Sequence, residues 1–137
     1  MNAQSSFHCT PEKVKEIRNW IADTLIDTGI HADIVNRVLL ASSEAVTNCI
    51  VHGYKPAREG RVDVSLEIDG STIRLNIRDY GIGMRMDQYD SPDTDIASEG
   101  GYGIYLIRSL MDDVQLIQQP VGTELKMSIS TKQAQST

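Results

Sequence analysis

Basic residues are scarce in this 137-residue chain: 13 Lys and Arg stand against 19 Asp and Glu, a formal charge of -6, with a pI near 4.9. Affinity for nucleic-acid phosphates comes from clustered cations that release counterions, so this balance argues against a nucleic-acid binder and favours basic partners. Long apolar runs are missing as well. The unbroken ones span a few residues, where roughly 20 are needed to cross a bilayer, and the polar N-terminus lacks the apolar segment of a signal peptide. The expectation is a cytoplasmic protein with no membrane partner. Cysteine is limited to Cys9 and Cys49, with no C-x-x-C spacing and no neighbouring histidine pair. That excludes a zinc site or disulfide framework and leaves both as reduced core residues. Two familiar phosphate-binding signatures are also absent. There is no G-x-x-x-x-G-K-[ST], and neither glycine cluster completes G-x-G-x-x-G, because Met86 and Leu106 occupy the third positions.

What remains is enough for one core. At this length, with 40% hydrophobic residues, about two-thirds of the unfolded surface can be buried in a single domain. We assign it to residues 1–131, with 132–137 as a disordered tail. Thr10, Pro11 and Glu12 carry N-cap and first-turn chemistry, and Val14, Ile17, Ile21 and Leu25 then recur at helical spacing until Gly29. A second helix runs from near Asp33 to Gly53, with Val35, Val38, Leu39, Ser42, Val46, Cys49 and Ile50 on one stripe. The period then changes to two: Val62, Val64, Leu66 and Ile68 lead through Asp69-Gly70 to Ile73, Leu75 and Ile77. Residues 80–99 are aspartate-rich and aperiodic, the length and character of a functional loop. A helix from about Tyr102 to Met111 follows, then a closing hairpin through Val114, Leu116, Leu125, Met127 and Ile129, turning at Pro120 and Gly122. With a short strand at Phe7, the pattern predicts an α+β two-layer sandwich: one mostly antiparallel sheet under about three helices.

Three features point to chemistry. Glu44 and Asn48 lie one turn apart on the second helix, on a side we place opposite the main apolar stripe. An exposed polar face is the ordinary reading of such a pair. Leu40, Ala41 and Val51 share that side, however, which suggests a partly closed pocket. Asp79 continues the alternation of Ile73, Leu75 and Ile77 and so falls on the buried side, where a carboxylate needs a partner. Thr123 is in phase with Leu125, Met127 and Ile129 and brings a hydroxyl to the same face, although strand-end Asp and Thr can simply serve turns. Gly81 and Gly83 open the long loop, and Gly100, Gly101 and Gly103 flank Tyr102 at the start of a helix. Glycines let backbone amides approach a ligand, and a helix N-terminus favours phosphate.

These residues resemble the GHKL ATPases, and within them the anti-sigma factor serine-protein kinases of the RsbW type. Ser43-Glu44-Ala45-Val46-Thr47-Asn48, followed by His52-Gly53-Tyr54, looks like that family's N box, Asp79 to Gly83 like its adenine-contacting box, Gly101 to Gly103 like its second glycine box, and Gly122-Thr123 like its last nucleotide motif. Each box is weak alone; four in order are specific. The resemblance implies ATP and Mg²⁺ as cofactors, with Asn48 on the metal, Glu44 as general base or orienter for the attacking hydroxyl, Asp79 accepting the adenine amino group, and residues 84–99 as a lid over ATP. Gly81, Gly83, Gly100, Gly101, Tyr102, Gly103 and Thr123 would line the nucleotide. Glu99 stands near the place where the sporulation branch has an arginine, and His52 ends the N-box helix, where a structural role is favoured over contact with phosphate. The resemblance also implies two partners, a sigma factor held inactive and an anti-anti-sigma STAS protein phosphorylated on serine, and a homodimer. Two other readings use the same boxes: a nucleotide-gated sigma-binding module without kinase activity, and a detached histidine-kinase catalytic domain. The latter lacks a helical hairpin with a phospho-accepting histidine, and His8 and His31 are assigned surface or structural roles.

Overall fold

The computed structural model describes residues 1–50, 60–80 and 102–132. Strand β1 (Asn2–His8) precedes helices α1 (Pro11–Leu25) and α2 (Ala32–Asn48). Strands β2 (Arg61–Asp69) and β3 (Thr72–Asp79), helix α3 (Tyr102–Leu110) and strands β4 (Asp113–Gln118) and β5 (Thr123–Ser130) follow. The five strands form one antiparallel sheet in the order β1-β2-β3-β5-β4. Helices α1 and α3 pack on either side of α2, and the three cover one face of the sheet. This is the predicted two-layer α+β sandwich.

Local chemistry explains where the elements begin and end. Pro11 opens α1, where its fixed φ suits the first turn, and Glu12 sits at the positive end of the helix dipole. Thr10 takes the extended N-cap backbone but makes no side-chain cap. Helix α1 ends when Thr28 turns its amide and hydroxyl back to the Leu25 carbonyl, and Gly29 takes a φ of +77° that other residues avoid. The cap of α2 is His31, whose Nδ1 accepts from the Asp33 amide at 3.1 Å. That is the structural role expected for this histidine, and His8 ends β1 exposed. Asp69 pairs with Thr72, so the hairpin loop is Gly70-Ser71, one residue later than Asp69-Gly70. Gly70 has a φ of +59° and Ser71 does not, which fits a type II′ turn with glycine first.

Strand β1 is longer than the short strand expected at Phe7. It pairs with β2 along its whole length, and Phe7 stacks edge-on against Trp20 of α1 at 6.0 Å. Alternation was a poor guide here, because the inward residues Ala3, Ser5 and Phe7 are only half-buried at the sheet edge. The central strands bury every second residue, and Leu66, Leu75, Ile77, Ile104, Ile107, Ile21 and Val46 meet in one core. Truncating one such side chain to alanine typically costs about 2–5 kcal/mol. No helix among the described residues is long and apolar enough to cross a membrane.

Candidate functional site

Four polar side chains are buried among the described residues: Ser42, Asn48, Asp79 and Thr123. Ser42 donates back to the Leu39 carbonyl of its own helix at 2.8 Å and is satisfied there. The other three converge at one end of the molecule. Asp79 is the last residue of β3, and Thr123, the first of β5, is its direct cross-strand partner. Asn48 ends α2 on the helical side of the same place, and the next residue, Cys49, brings its Sγ to 3.5 Å from Asp79 Oδ2.

Asp79 is 5% exposed and Thr123 3%, as strand parity predicts. The helix geometry differs from the sequence reading. Asn48 is 2% exposed and shares the buried face of α2 with Ala41 and Ala45, whereas Leu40, expected beside it, is 53% exposed. At 100° per residue Glu44 and Asn48 are about 40° apart, and the boundary of the buried face falls between them: Glu44 is half-buried. The pair therefore straddles the rim of the helical layer instead of facing away from the core. Val51 lies outside the described residues.

Asn48 carries an unmet need. Its Nδ2 is buried and has no hydrogen-bond partner among the described residues. A buried unpaired donor costs about 1–3 kcal/mol, and such groups in native proteins call for an explanation. A ligand supplying acceptor atoms is one.

A sequence model described as a histidine kinase-like ATPase domain matches residues 7–129. The chain belongs to this family. The ATPase domain is 32% identical over 133 residues to the serine-protein kinase RsbW of Staphylococcus aureus, spanning 90% of this chain and 83% of that one. It is 31% identical over 101 residues to the anti-sigma F factor of Bacillus subtilis, spanning 70% and 69%. In three dimensions it superposes on a crystal structure of the RsbU and RsbW domains of a Mycobacterium tuberculosis protein with a TM-score of 0.73 at 17% identity, over 95% of this chain and 32% of that one. A histidine kinase domain from Erythrobacter litoralis gives 0.60 at 19%, over 88% and 60%. These two likenesses establish the shared fold.

Within the ATPase domain the surroundings of Asp79 are electrostatically sharp. Burial, and then the Asp79 charge, push the Cys9 thiol up to about 12. The same two causes raise Cys49 well above its ordinary value. Both cysteines are free and buried, as expected. On the opposite, outer face of the sheet the next residue, Tyr80, is held by a cluster the sequence reading missed. Its hydroxyl donates to Asp63 Oδ2 at 2.5 Å, and the Arg61 and Arg78 guanidiniums lie 4.6 and 4.7 Å from its ring centre. Asp63 also accepts from Ser6 at 2.6 Å. Burial would raise its carboxyl, but the hydrogen bonds from Ser6 and Tyr80 and the charges of Arg61 and Arg78 outweigh it and hold the group below its ordinary value. Parity could have shown that Arg61, Asp63, Arg78 and Tyr80 share a face, but the register that joins them required the structure. The polar hollow of about 650 Å³ near this cluster belongs to the outer face, a sheet's thickness from Asn48 and Asp79.

Gly122 lies against the backbone of Asp79. Its φ is +81°, and a Cβ there would lie 2.0 Å from the Asp79 carbonyl oxygen. Tyr102 and Gly103 begin α3, which packs against α2. Gly81, Gly83, Gly100, Gly101, His52, Glu99 and the lid residues 84–99 lie outside the described residues.

Proposed function

We propose that this ATPase domain is an anti-sigma factor and serine-protein kinase, which sequesters a sigma factor and uses Mg²⁺-ATP to phosphorylate a serine on a STAS-fold anti-anti-sigma partner. The observation that carries it is the convergence of three buried polar side chains, Asn48, Asp79 and Thr123, at one end of a histidine kinase-like fold. The names borne by its relatives, serine-protein kinase and anti-sigma F factor, supply the partner class. The protein acts in the cytoplasm as a homodimer.

The residues present fit Mg²⁺. Asn48 offers a hard amide oxygen from a buried side chain, and its Nδ2, which has no partner among the described residues, can donate to a phosphate oxygen. Among the described residues no group of three or more His, Cys, Asp or Glu could form a protein cage. A site with one amide ligand suits an ion that keeps its waters and binds substrate phosphates. When bound, Mg²⁺ neutralises charge on the phosphates. Asp79 accepts the adenine amino group, with Thr123 beside it across the sheet. Glu44, at the accessible rim, accepts the proton of the seryl hydroxyl as that oxygen bonds to the γ-phosphorus and ADP leaves. Positioning and electrostatics dominate such a transfer. We assign the remaining nucleotide contacts to Gly81, Gly83, Gly100, Gly101, Tyr102 and Gly103.

The test is incubation of the chain with ATP, Mg²⁺ and the STAS protein that copurifies with it. Phosphoserine on the partner is the expected product. A sigma-binding module without catalysis leaves the partner unmodified, and a histidine-kinase domain leaves its serine unmodified. Glu44→Ala should keep nucleotide binding and lose transfer by at least about a hundredfold; an unchanged transfer rate removes Glu44 from the mechanism.

A further inference from the structure

We propose that Cys49 is a positioning residue for purine recognition, its thiol fixing the Asp79 carboxylate and tying it to the residue that holds the phosphate end. The inference rests on the reading of Asp79 as the adenine acceptor. Cys49 Sγ lies 3.5 Å from Asp79 Oδ2, and both residues are buried. An ionised carboxylate only accepts, so the direction of the bond is fixed: the thiol donates. The bond restricts how the carboxylate plane can turn.

The backbone gives the bond its leverage. Cys49 caps α2, and its amide bonds to the carbonyls of Ala45 and Val46, so its Cα has little freedom. Asn48 is its immediate neighbour, buried with no partner for Nδ2 among the described residues. One dipeptide at the end of α2 therefore serves both halves of the proposed site, through the Asn48 amide and through the Cys49 bond to the Asp79 carboxylate. A displacement of this helix end moves both together. Adenine offers an amino donor where guanine offers a carbonyl oxygen, so discrimination depends on how the carboxylate is aimed as well as on its charge. Removing the tie should weaken ATP binding and, more tellingly, narrow the preference for ATP over GTP.

The experiment is calorimetric titration of the full chain with Mg²⁺-ATP and Mg²⁺-GTP in the parent, Cys49→Ala, Cys49→Ser, Cys49→Val and Asp79→Asn forms. Alanine and valine should lose ATP affinity by about three- to tenfold, the scale of one hydrogen bond, with the ATP-to-GTP ratio falling alongside. Serine, which keeps a donor, should recover at least half of that loss. A packing role predicts the reverse order, valine above serine. That order, or an unchanged ratio in Cys49→Ala, overturns the proposal. The serine-to-alanine comparison stands by itself if the larger valine does not fold. Asp79→Asn separates the two levels: unaltered ATP affinity there sinks the adenine reading and this inference with it. A loss in Asp79→Asn together with unaltered Cys49 variants sinks the inference alone.

Discussion

On the proposed function, Asn48 serves a ligand at the expense of the fold. Its amide is buried without a partner for Nδ2 among the described residues, so removing it relieves a desolvation cost of about 1–3 kcal/mol, offset by a small cavity. Asn48→Ala is therefore expected to move the melting temperature by no more than a few degrees while weakening Mg²⁺-dependent nucleotide binding at least tenfold. Thermal melting and titration calorimetry on the same sample check both halves, and a large loss of stability with intact binding would make Asn48 a structural residue. The thiols offer a second check at this scale. Burial and the nearby Asp79 charge raise Cys9 to about 12, and the thiolate is the reactive form. Maleimide at pH 8 should label neither Cys9 nor Cys49 in the native protein and should label both in urea, as read by intact mass.

Among the elements, the β3–β5 pair decides where Asp79 sits. Gly122 approaches the Asp79 carbonyl so closely that a methyl group would lie 2.0 Å from its oxygen, at a φ of +81°. Gly122→Ala should cost about 2 kcal/mol or more and lower ATP affinity as Asp79 is displaced. Gly29→Ala is the control, with a φ of +77° but nothing within 4 Å of the new Cβ. It should lose some stability and leave binding alone, and equal effects on binding would remove Gly122 from the site. The β1–β2–β3 junction makes a pH-dependent contribution through Asp63. Its carboxyl titrates below its unfolded value, so the stabilisation is fully present above about 3.9 and is lost as pH falls through the lower folded-state value. Urea midpoints of the parent and Asp63→Asn should differ at pH 7 and converge toward pH 3.

For the whole molecule, a ligand that binds only the folded chain adds stability by mass action. Mg²⁺-ATP at a hundredfold excess over its Kd should add about 2.7 kcal/mol and raise the melting temperature. GTP at the same concentration should raise it far less if Asp79 reads the purine as proposed, because a carboxylate oxygen and the guanine carbonyl are both acceptors. Equal shifts with the two nucleotides would remove Asp79 as the purine reader. The fold makes the effect global, since Asn48 belongs to the helical layer and Asp79 and Thr123 to the sheet. A nucleotide bound as proposed would join the two layers at the end where they meet.

The sequence by itself determined the α+β class, the β2–β3 and β4–β5 hairpins and the burial of Asp79 and Thr123, because a period of two assigns each strand residue a face whatever the strand pairs with. It also carried the boxes that led to the histidine kinase-like ATPase family. It misplaced Asn48, since a helix buried on one wide arc has an edge that residue types alone do not locate: Leu40 falls outside it and Asn48 within. It read the hairpin turn one residue early and could not name His31 as a cap, because both depend on backbone angles. Only the tertiary structure decided that Cys49 reaches Asp79, that Gly122 lies against the Asp79 carbonyl, and that Arg61, Asp63 and Arg78 secure Tyr80. Each of those contacts joins elements distant in the chain, and their register is set by packing, which no local pattern records.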